Sequence, residues 1–439
     1  MKVAFVSLGC AKNLVNTEQM MALCRKEGWT VTGEPEGADV AVLNTCGFIE
    51  GAKTEAIDNI LELAGLKQEG KLGKLLVAGC LTQRYRDEIL EELPEIDGIL
   101  GTGSYTDVTE AVKAVMEGDT PTYFGDIHHT IEDGERLVST PSYTAYLKIA
   151  EGCDNCCAYC IIPRLRGRYR SRPMDSLLSE AKGLADAGVK ELIVIAQDIT
   201  RYGTDWDGKH HLAELLEQLC RLDFRWIRLH YLYPDEFDDE LIEVIASQPK
   251  IVKYLDIPLQ HCNDAILKRM NRRGTKAEIL ALLDKLRARI PGLVLRTSLI
   301  VGLPGEGEAE FEELCDFLKQ TKIERAGVFQ FSPEEGTAAA VMPDQVSADV
   351  AGRRVELLVD LQSRVMDAWN EERLGRVMEV LCEGFDAGAG GYAGRSYADS
   401  PDIDGRVLFT AAGLIPAGEF VKVRITGGAD GDLMGEIEE

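Results

Sequence analysis

Gly152-Cys153-Asp154-Asn155-Cys156-Cys157-Ala158-Tyr159-Cys160 carries the decisive pattern of this chain. As Cys-x3-Cys-x2-Cys it offers three thiolates, Cys153, Cys157 and Cys160, within eight residues. A four-iron cubane in a ferredoxin is closed by four cysteines. Three cysteines leave one iron open to a ligand that is not protein. A second reading pairs Cys153 with Cys156 and Cys157 with Cys160 as two short zinc knuckles. Neighbouring loop residues point in different directions, so Cys156 and Cys157 rarely serve one ion. Cys156 is therefore read as surplus and not as a ligand.

Outward from this loop, an apolar segment at 145–150 precedes it, and strand patterns follow at 191–196, 226–231, 253–259, 293–301 and 325–331. Helical patterns such as 176–187 and 212–222 separate them. Alternating strands and helices predict parallel β/α units. Six units fall short of the eight in a closed barrel. The expected fold over 141–372 is a partial (β/α)6 barrel with a connecting helix from 348. The cysteine loop follows the first strand, which puts it at the C-terminal face where such folds carry their chemistry.

Residues 1–140 read as a second α/β domain with a linker over 118–140. Strands at 2–8, 38–44 and 75–78 alternate with helices at 14–27, 52–64 and 83–93, a doubly wound parallel sheet. Cys10, Cys46 and Cys80 each sit just past one of these strands. Parallel strands deliver their carboxyl ends to one edge, where such sheets bind ligands. Three cysteines far apart in sequence are thus expected to meet as a second three-thiolate set; the alternative is three separate core cysteines. Gly9, Gly47 and Gly79 beside them would let the backbone turn closely.

The tail, 373–439, alternates apolar and polar residues at 377–383, 391–397, 405–410 and 420–425, with Gly and Asp between. This predicts a small OB-like β-barrel. The whole chain has 439 residues and a net charge of −26. Each of the three segments is acidic, the tail carrying 12 acidic against 6 basic residues. Nucleic-acid binding usually leaves a basic footprint, so the balance favours a basic protein partner. Asp399, Asp402 and Asp404 fall in one predicted loop and are expected to face it. The 12 cysteines are clustered, which suits metal chemistry in a reducing cytoplasm. The N-terminus lacks a signal-peptide core. No apolar run approaches the ~20 residues of a membrane helix.

Together these features resemble the radical S-adenosylmethionine methylthiotransferase family over the full chain. That family joins a three-cysteine domain, a radical S-adenosylmethionine barrel and a TRAM barrel. The opening Ser7-Leu8-Gly9-Cys10-Ala11-Lys12-Asn13-Leu14-Val15-Asn16-Thr17-Glu18 is similar to the branch that modifies a ribosomal protein. That branch has proline at the place of Ala11 and Asp-Ser at Asn16-Thr17. Transfer-RNA members have Gln-Met-Asn where this chain has Ala11-Lys12-Asn13. Pro258-Leu259-Gln260-His261 and Leu303-Pro304-Gly305-Glu306 also match the wider family.

The resemblance implies two 4Fe-4S clusters, on Cys10, Cys46 and Cys80 and on Cys153, Cys157 and Cys160, with S-adenosyl-L-methionine on the open iron of the second. It implies a methylthio group placed on the β-carbon of an aspartate in the twelfth small-subunit ribosomal protein, with a low-potential electron donor. Methylthiolation of transfer-RNA adenosine and a non-catalytic iron–sulfur carrier are the alternatives. Tyr159, Gln197, Asp198, Ser298 and Gly302 are expected to bind the cofactor. For Asp198 the competing role is a helix cap, and for Gly302 a plain turn. Arg164, Arg166, Arg168, Arg170 and Arg172 alternate after the loop. They would neutralise the cofactor carboxylate or the clusters, guide an acidic target side chain, or form a solvated edge strip. His230 and His261 are read as structural, and Cys24, Cys220, Cys315 and Cys382 as core. Cys262 stays open, near the barrel mouth.

Overall fold

The computed structural model describes residues 1–129 and 134–438. Its first part comprises β1 (Lys2–Ser7), α1 (Ala11–Lys26), β2 (Thr30–Thr32), β3 (Ala38–Thr45), α2 (Glu50–Gln68), β4 (Leu72–Gly79), α3 (Cys80–Glu92), β5 (Gly98–Leu100), α4 (Val108–Glu117) and β6 (Thr122–Tyr123). All pairings are parallel, in the order β2-β1-β3-β4-β5-β6. The β3 strand is buried at all positions but Asp39, as in a parallel sheet covered on both faces. On one face Met20, Cys24, Val108 and Val112 pack against Phe5 and Val42. On the other, Ile60, Leu63 and Ile89 pack against Ala41, Leu43 and Val77.

The region expected as a linker is partly sheet. Thr122–Tyr123 pairs with β5 as an edge strand, too short to show a period in sequence. Farther on, Arg136 and the Ser139 backbone N–H both hold the buried Glu18 carboxylate of α1, at 2.8 and 2.7 Å. Residues 130–133 of that linker lie outside the described residues.

The second part comprises β7 (Thr144–Lys148), β8 (Ala150–Glu151), α5 (Ile162–Arg166), β9 (Arg170–Ser171), α6 (Met174–Asp186), β10 (Glu191–Ile195), α7 (Thr204–Asp207), α8 (Leu212–Cys220), β11 (Trp226–Leu229), α9 (Asp239–Ser247), β12 (Ile251–Asp256), α10 (Asp264–Arg269), α11 (Lys276–Arg289), β13 (Val294–Val301), α12 (Glu308–Thr321) and β14 (Arg325–Gln330). Six of these strands run parallel in chain order, β7-β10-β11-β12-β13-β14, and the sheet does not close. Leu192, Val194, Leu229 and Leu255 pack outward on Leu177, Leu216, Ile242 and Leu283 of the helices. Against Ile193 and Ile195 of β10 lies Val15 of α1, beside Ala11, Tyr146 and Tyr231. The first domain thus docks on the sheet through the helix that begins at Cys10.

After α13 (Ala348–Glu371), the tail forms β15 (Val377–Asp386), β16 (Gly391–Ser396), β17 (Val407–Thr410), β18 (Phe420–Ala429) and β19 (Asp432–Ile437). They close as β15-β16-β17-β19-β18. The fifth strand goes beyond the four expected. The Gly-rich run Gly427-Gly428-Ala429-Asp430-Gly431 is the end of β18 and the turn before β19.

The small barrel seats on the starts of the central strands. Trp226, Val252, Tyr254 and Val294 share a core with Val380, Phe409 and Leu433. Arg228, fully buried, donates to Glu191 Oε1 at 2.9 Å and to the Tyr397 carbonyl at 2.9 Å. Arg395 reaches the other Glu191 oxygen at 2.7 Å. The three loop acids expected to face a partner divide here. Asp399 is buried and takes Arg325 Nη2 at 3.0 Å. Asp404 accepts from Tyr254 Oη and lies 3.6 Å from Arg296. Only Asp402 is exposed. Two of the three therefore bind the chain to itself, because a loop between strands is also where two domains meet.

Candidate functional site: two sets of three cysteines

The barrel loop is pinched at its base. Gly152 has a φ of +78°, and a Cβ there would meet the Arg168 carbonyl oxygen at 2.0 Å. The Cys153 N–H donates to the Gly167 carbonyl at 3.2 Å, and the Ala158 N–H to that of Met270 at 2.9 Å. Between these anchors, Cys153, Cys157 and Cys160 are half-buried. Burial, chiefly, pushes the Cys153 thiol up to about 12, with Asp198 and Cys157 adding to it. Cys160 is raised for the same reason, with Cys157 and Cys153 adding to it. Crowded thiols of this kind ionise when a cation takes their charge, which is the chemistry of a metal-ligand set. Cys156 is exposed, with a left-handed φ of +49°, and its carbonyl accepts from Asn271 at 2.9 Å. Of the four cysteines in the loop it alone is exposed.

The second set is built by the sheet. The strand order reverses between β1 and β3, and Cys10 and Cys46 follow these two strands, at the switch point where such sheets bind ligands. Cys80 follows β4, the next strand along. Glycines permit the approach. A Cβ at Gly9 would meet Cys46 Cβ at 2.6 Å, and one at Gly47 would meet the Cys80 carbonyl carbon at 2.9 Å. Burial, then Cys80, pushes the Cys46 thiol up to about 11. Burial also acts on Cys10, but Lys12 and Arg166 outweigh it and hold that thiol below its ordinary value. The three converge from 70 residues of chain, and thiols are the donors an iron–sulfur cluster takes.

Cys80 of the second set meets the segment that follows the barrel loop, across the domain junction. Ile161, next to Cys160, and Leu165 form one apolar cluster with Cys80 and Phe48. Arg166, one residue on, donates to Cys80 Sγ at 3.5 Å. Beyond them, Glu334 after β14 takes Arg84 of α3 at 2.9 Å, Lys53 of α2 at 3.1 Å and the Glu50 N–H at 2.8 Å.

The five residues expected at the cofactor fare differently. Tyr159 is half-buried and its hydroxyl accepts from Arg272 at 3.1 Å. Gln197 donates to Glu151 Oε1 at 2.6 Å, and its own carbonyl oxygen is buried without a partner among the described residues. Ser298 is half-buried on β13. Asp198 is buried and engaged, accepting from Asn155 of the cysteine loop at 2.9 Å and from the Thr200 N–H at 3.1 Å. It braces the loop from beneath. Gly302 has a φ of +79°, and the space beside it is filled by Ala351 of α13, whose Cβ would lie 2.6 Å from an added Cβ. Its smallness admits the connecting helix.

The arginine strip is not one surface. Arg166 and Arg172 are buried, Arg164 and Arg166 end a short helix, and Arg170 reaches back to the Arg166 and Arg168 carbonyls. The solvated-strip reading fails for the buried two. His230 bonds Ser400 at 2.9 Å, and His261 accepts from the Asn263 N–H at 3.0 Å; both are buried and structural. Cys262 is fully buried in the main core. Sequence reasoning missed Tyr233, whose hydroxyl lies 3.3 Å from Cys157 Sγ, and Arg272, 3.7 Å from the same sulfur. Both sit far from the motif in sequence, and neither stands in a pattern that marks it.

Family models match three stretches of the chain: the radical SAM superfamily over residues 147–318, the uncharacterized protein family UPF0004 over 2–101 and the TRAM domain over 374–437. Among solved structures, the fold resembles the radical S-adenosylmethionine methyltransferase TsrM from Kitasatospora setae. The TM-score is 0.59 at 14% identity, covering 77% of each chain. It also resembles the cobalamin-dependent enzyme OxsB, with a TM-score of 0.51 at 13% identity, over 83% of this chain and 56% of that one. Among curated proteins, the ribosomal protein uS12 methylthiotransferase RimO of Desulforamulus reducens is 48% identical over 100% of this chain and 99% of its own length. That of Geotalea uraniireducens is 50% identical over 99% and 98%. With three cysteines on each of two domains and identity at this level from end to end, the chain belongs to the RimO family of radical S-adenosylmethionine methylthiotransferases.

Proposed function

We propose that this chain attaches a methylthio group to the β-carbon of an aspartate in ribosomal protein uS12, using two 4Fe-4S clusters and S-adenosyl-L-methionine. The observation that carries the reading is end-to-end similarity to uS12 methylthiotransferases. Cys153, Cys157 and Cys160 would hold the cluster that binds the cofactor, and Cys10, Cys46 and Cys80 the other. When bound, these groups supply radical abstraction of an unactivated hydrogen and the sulfur and methyl that replace it.

The chain's own residues position and shield. Glu151 fixes Gln197 so that its free carbonyl oxygen stands as an acceptor, suited to an ammonium. Tyr159, whose hydroxyl accepts from Arg272, and Ser298 would complete the cofactor contacts. Asp198, through Asn155, holds the loop that carries the three thiolates. Val15, Ile193 and Ile195 seal the docked face against water.

The net charge of −26 suits a basic protein substrate and disfavours transfer RNA. The electron comes from a low-potential donor. No described helix is long and apolar enough to cross a membrane. Mass spectrometry of ribosomal proteins and of transfer RNA from a deletion strain tests the reading. The expected result is loss of the methylthio group from uS12 alone, restored by the wild-type chain. Loss from transfer RNA with uS12 unchanged would overturn it.

A further inference from the structure

Two buried cations stand at the N-terminal cysteine set, one sharing a single carboxylate with a lysine and one with no carboxylate among the described residues. Arg166 is buried, and its fork is split. Nη1 donates to Glu151 at 3.0 Å and to Asn16 at 2.9 Å. Nη2 points the other way, to Asn13 Oδ1 and to Cys80 Sγ. Glu151 is itself shared, since Lys148 donates to the same carboxylate at 2.8 Å. The half of the guanidinium that faces the cysteines meets no carboxylate.

Lys12 is the second. It is buried, its Nζ lies 3.5 Å from the Tyr231 ring centroid, and no carboxylate among the described residues pairs with it. It stands two residues after Cys10, in the first turn of α1. A buried cation without an anion costs several kcal/mol. Here the anions available are the thiolates themselves. Groups that hydrogen-bond to or lie near cluster sulfurs set the potential of the cluster.

We propose that Arg166 and Lys12 form a cationic cradle for the Cys10/Cys46/Cys80 centre. They are positioning residues whose fixed charge favours the reduced, more negative state of the cluster held there. Arg166 acts through its hydrogen bond to Cys80, and Lys12 acts through space. One electron enters from the low-potential donor, and no bond breaks. The proposal rests on reading these cysteines as cluster ligands, as above. It also gives α5 a purpose. The helix begins two residues after Cys160 and ends on the residue that touches Cys80, so one short segment carries ligands of one centre and the counter-charge of the other.

The test uses the full chain with Cys153, Cys157 and Cys160 changed to alanine, reconstituted without oxygen, so that remaining iron reports on the N-terminal set. This parent should hold about four irons. Redox titration followed by electron paramagnetic resonance reads its midpoint. Arg166→Gln should lower the reduced fraction at a fixed potential about tenfold, a shift of ~59 mV for one electron. Lys12→Met should lower it by a smaller factor in the same direction, and Arg166→Lys should restore most of the loss. Glu334→Gln, which weakens the docking without touching the thiols, should leave the midpoint in place.

Unchanged midpoints in Arg166→Gln and Lys12→Met would overturn the proposal. So would a shift in Glu334→Gln as large as that in Arg166→Gln, because docking would then explain it. If Arg166→Gln holds no iron, Arg166→Lys decides. Iron and midpoint near the parent's support the cradle, and an equally empty Arg166→Lys refutes it. A parent without iron refutes the cluster reading itself and the cradle with it.

Discussion

The two cysteine sets reach the same end by opposite routes. Cys153, Cys157 and Cys160 are local, eight residues of loop held at both ends by backbone hydrogen bonds. Cys10, Cys46 and Cys80 are gathered by a sheet, and no two of them are closer than 34 residues in sequence. A local set depends on the loop that carries it and survives distant damage. A gathered set exists only while β1, β3 and β4 stay in register and their glycines keep the strand ends close. The lesson is that mutational sensitivity should spread across a whole domain for one centre and stay within a segment for the other.

The sharpest break in the comparison lies inside the loop. Cys157→Ala should abolish formation of 5′-deoxyadenosine, while Cys156→Ala, one residue away and exposed, should stay within about twofold of wild type. If the two behave alike, the local set is misassigned. Next in size, replacing Cys10, Cys46 and Cys80 together by alanine should remove about half of an expected eight or so irons. It should leave cofactor cleavage intact and abolish methylthiolation; full iron retention would refute the gathered set.

The tail offers a third region, seated on the starts of the central strands. Asp399→Lys should destabilise the chain by about 3–5 kcal/mol in denaturant titration, since it leaves Arg325 buried against a like charge. Asp402→Lys, on an exposed residue of the same loop, should cost under about 0.5 kcal/mol. A glycine pair then probes the sheet route. Gly79 has a φ of +105°, and a Cβ there would meet Asn44 Oδ1 at 2.4 Å and the Thr45 carbonyl oxygen at 2.5 Å. Gly79→Ala should cost about 3 kcal/mol and empty the N-terminal centre first. Gly70→Ala, with a φ of +69° in open space, should cost about 1 kcal/mol and leave both centres filled. Iron analysis with deoxyadenosine assays distinguishes the two.

The smallest effect is in pH. Burial alone would raise the Glu191 carboxyl, but Arg395 and Arg228 outweigh it and hold it at about 2. Because the folded value lies below the ordinary 4.5, the stabilisation is complete above pH 4.5 and is lost as pH falls toward 2. Acid titration of wild type should show this loss at the tail junction. Glu191→Gln should already be weakened at pH 7 and show a flatter profile in that window.

How much of this was legible depended on whether the signal was periodic or positional. The six barrel strands, the doubly wound sheet and the gathering of three cysteines at a strand edge all follow from period and topology. The fifth tail strand was hidden by glycines, and β6 by its two-residue length. Asp198, Gly302, Asp399 and Asp404 were placed correctly at strand ends and loops, yet their neighbours could not be read. A sequence shows that an aspartate follows a strand, but not which domain will be packed against it. Tyr233 and Arg272 illustrate the same limit, since they meet Cys157 only because two separate loops arrive at one face.

The seat of the tail barrel bears on how such a chain can be rearranged over evolution. Glu191, Arg228, Tyr254 and Arg325 of the central sheet are matched one to one by Arg395, the Tyr397 carbonyl, Asp404 and Asp399 of the tail. A tail exchanged from a distant chain would have to bring those partners at those places. Otherwise it would strand several charges in the sheet's floor. Exchange of the C-terminal module alone is thus opposed by charge before substrate preference enters.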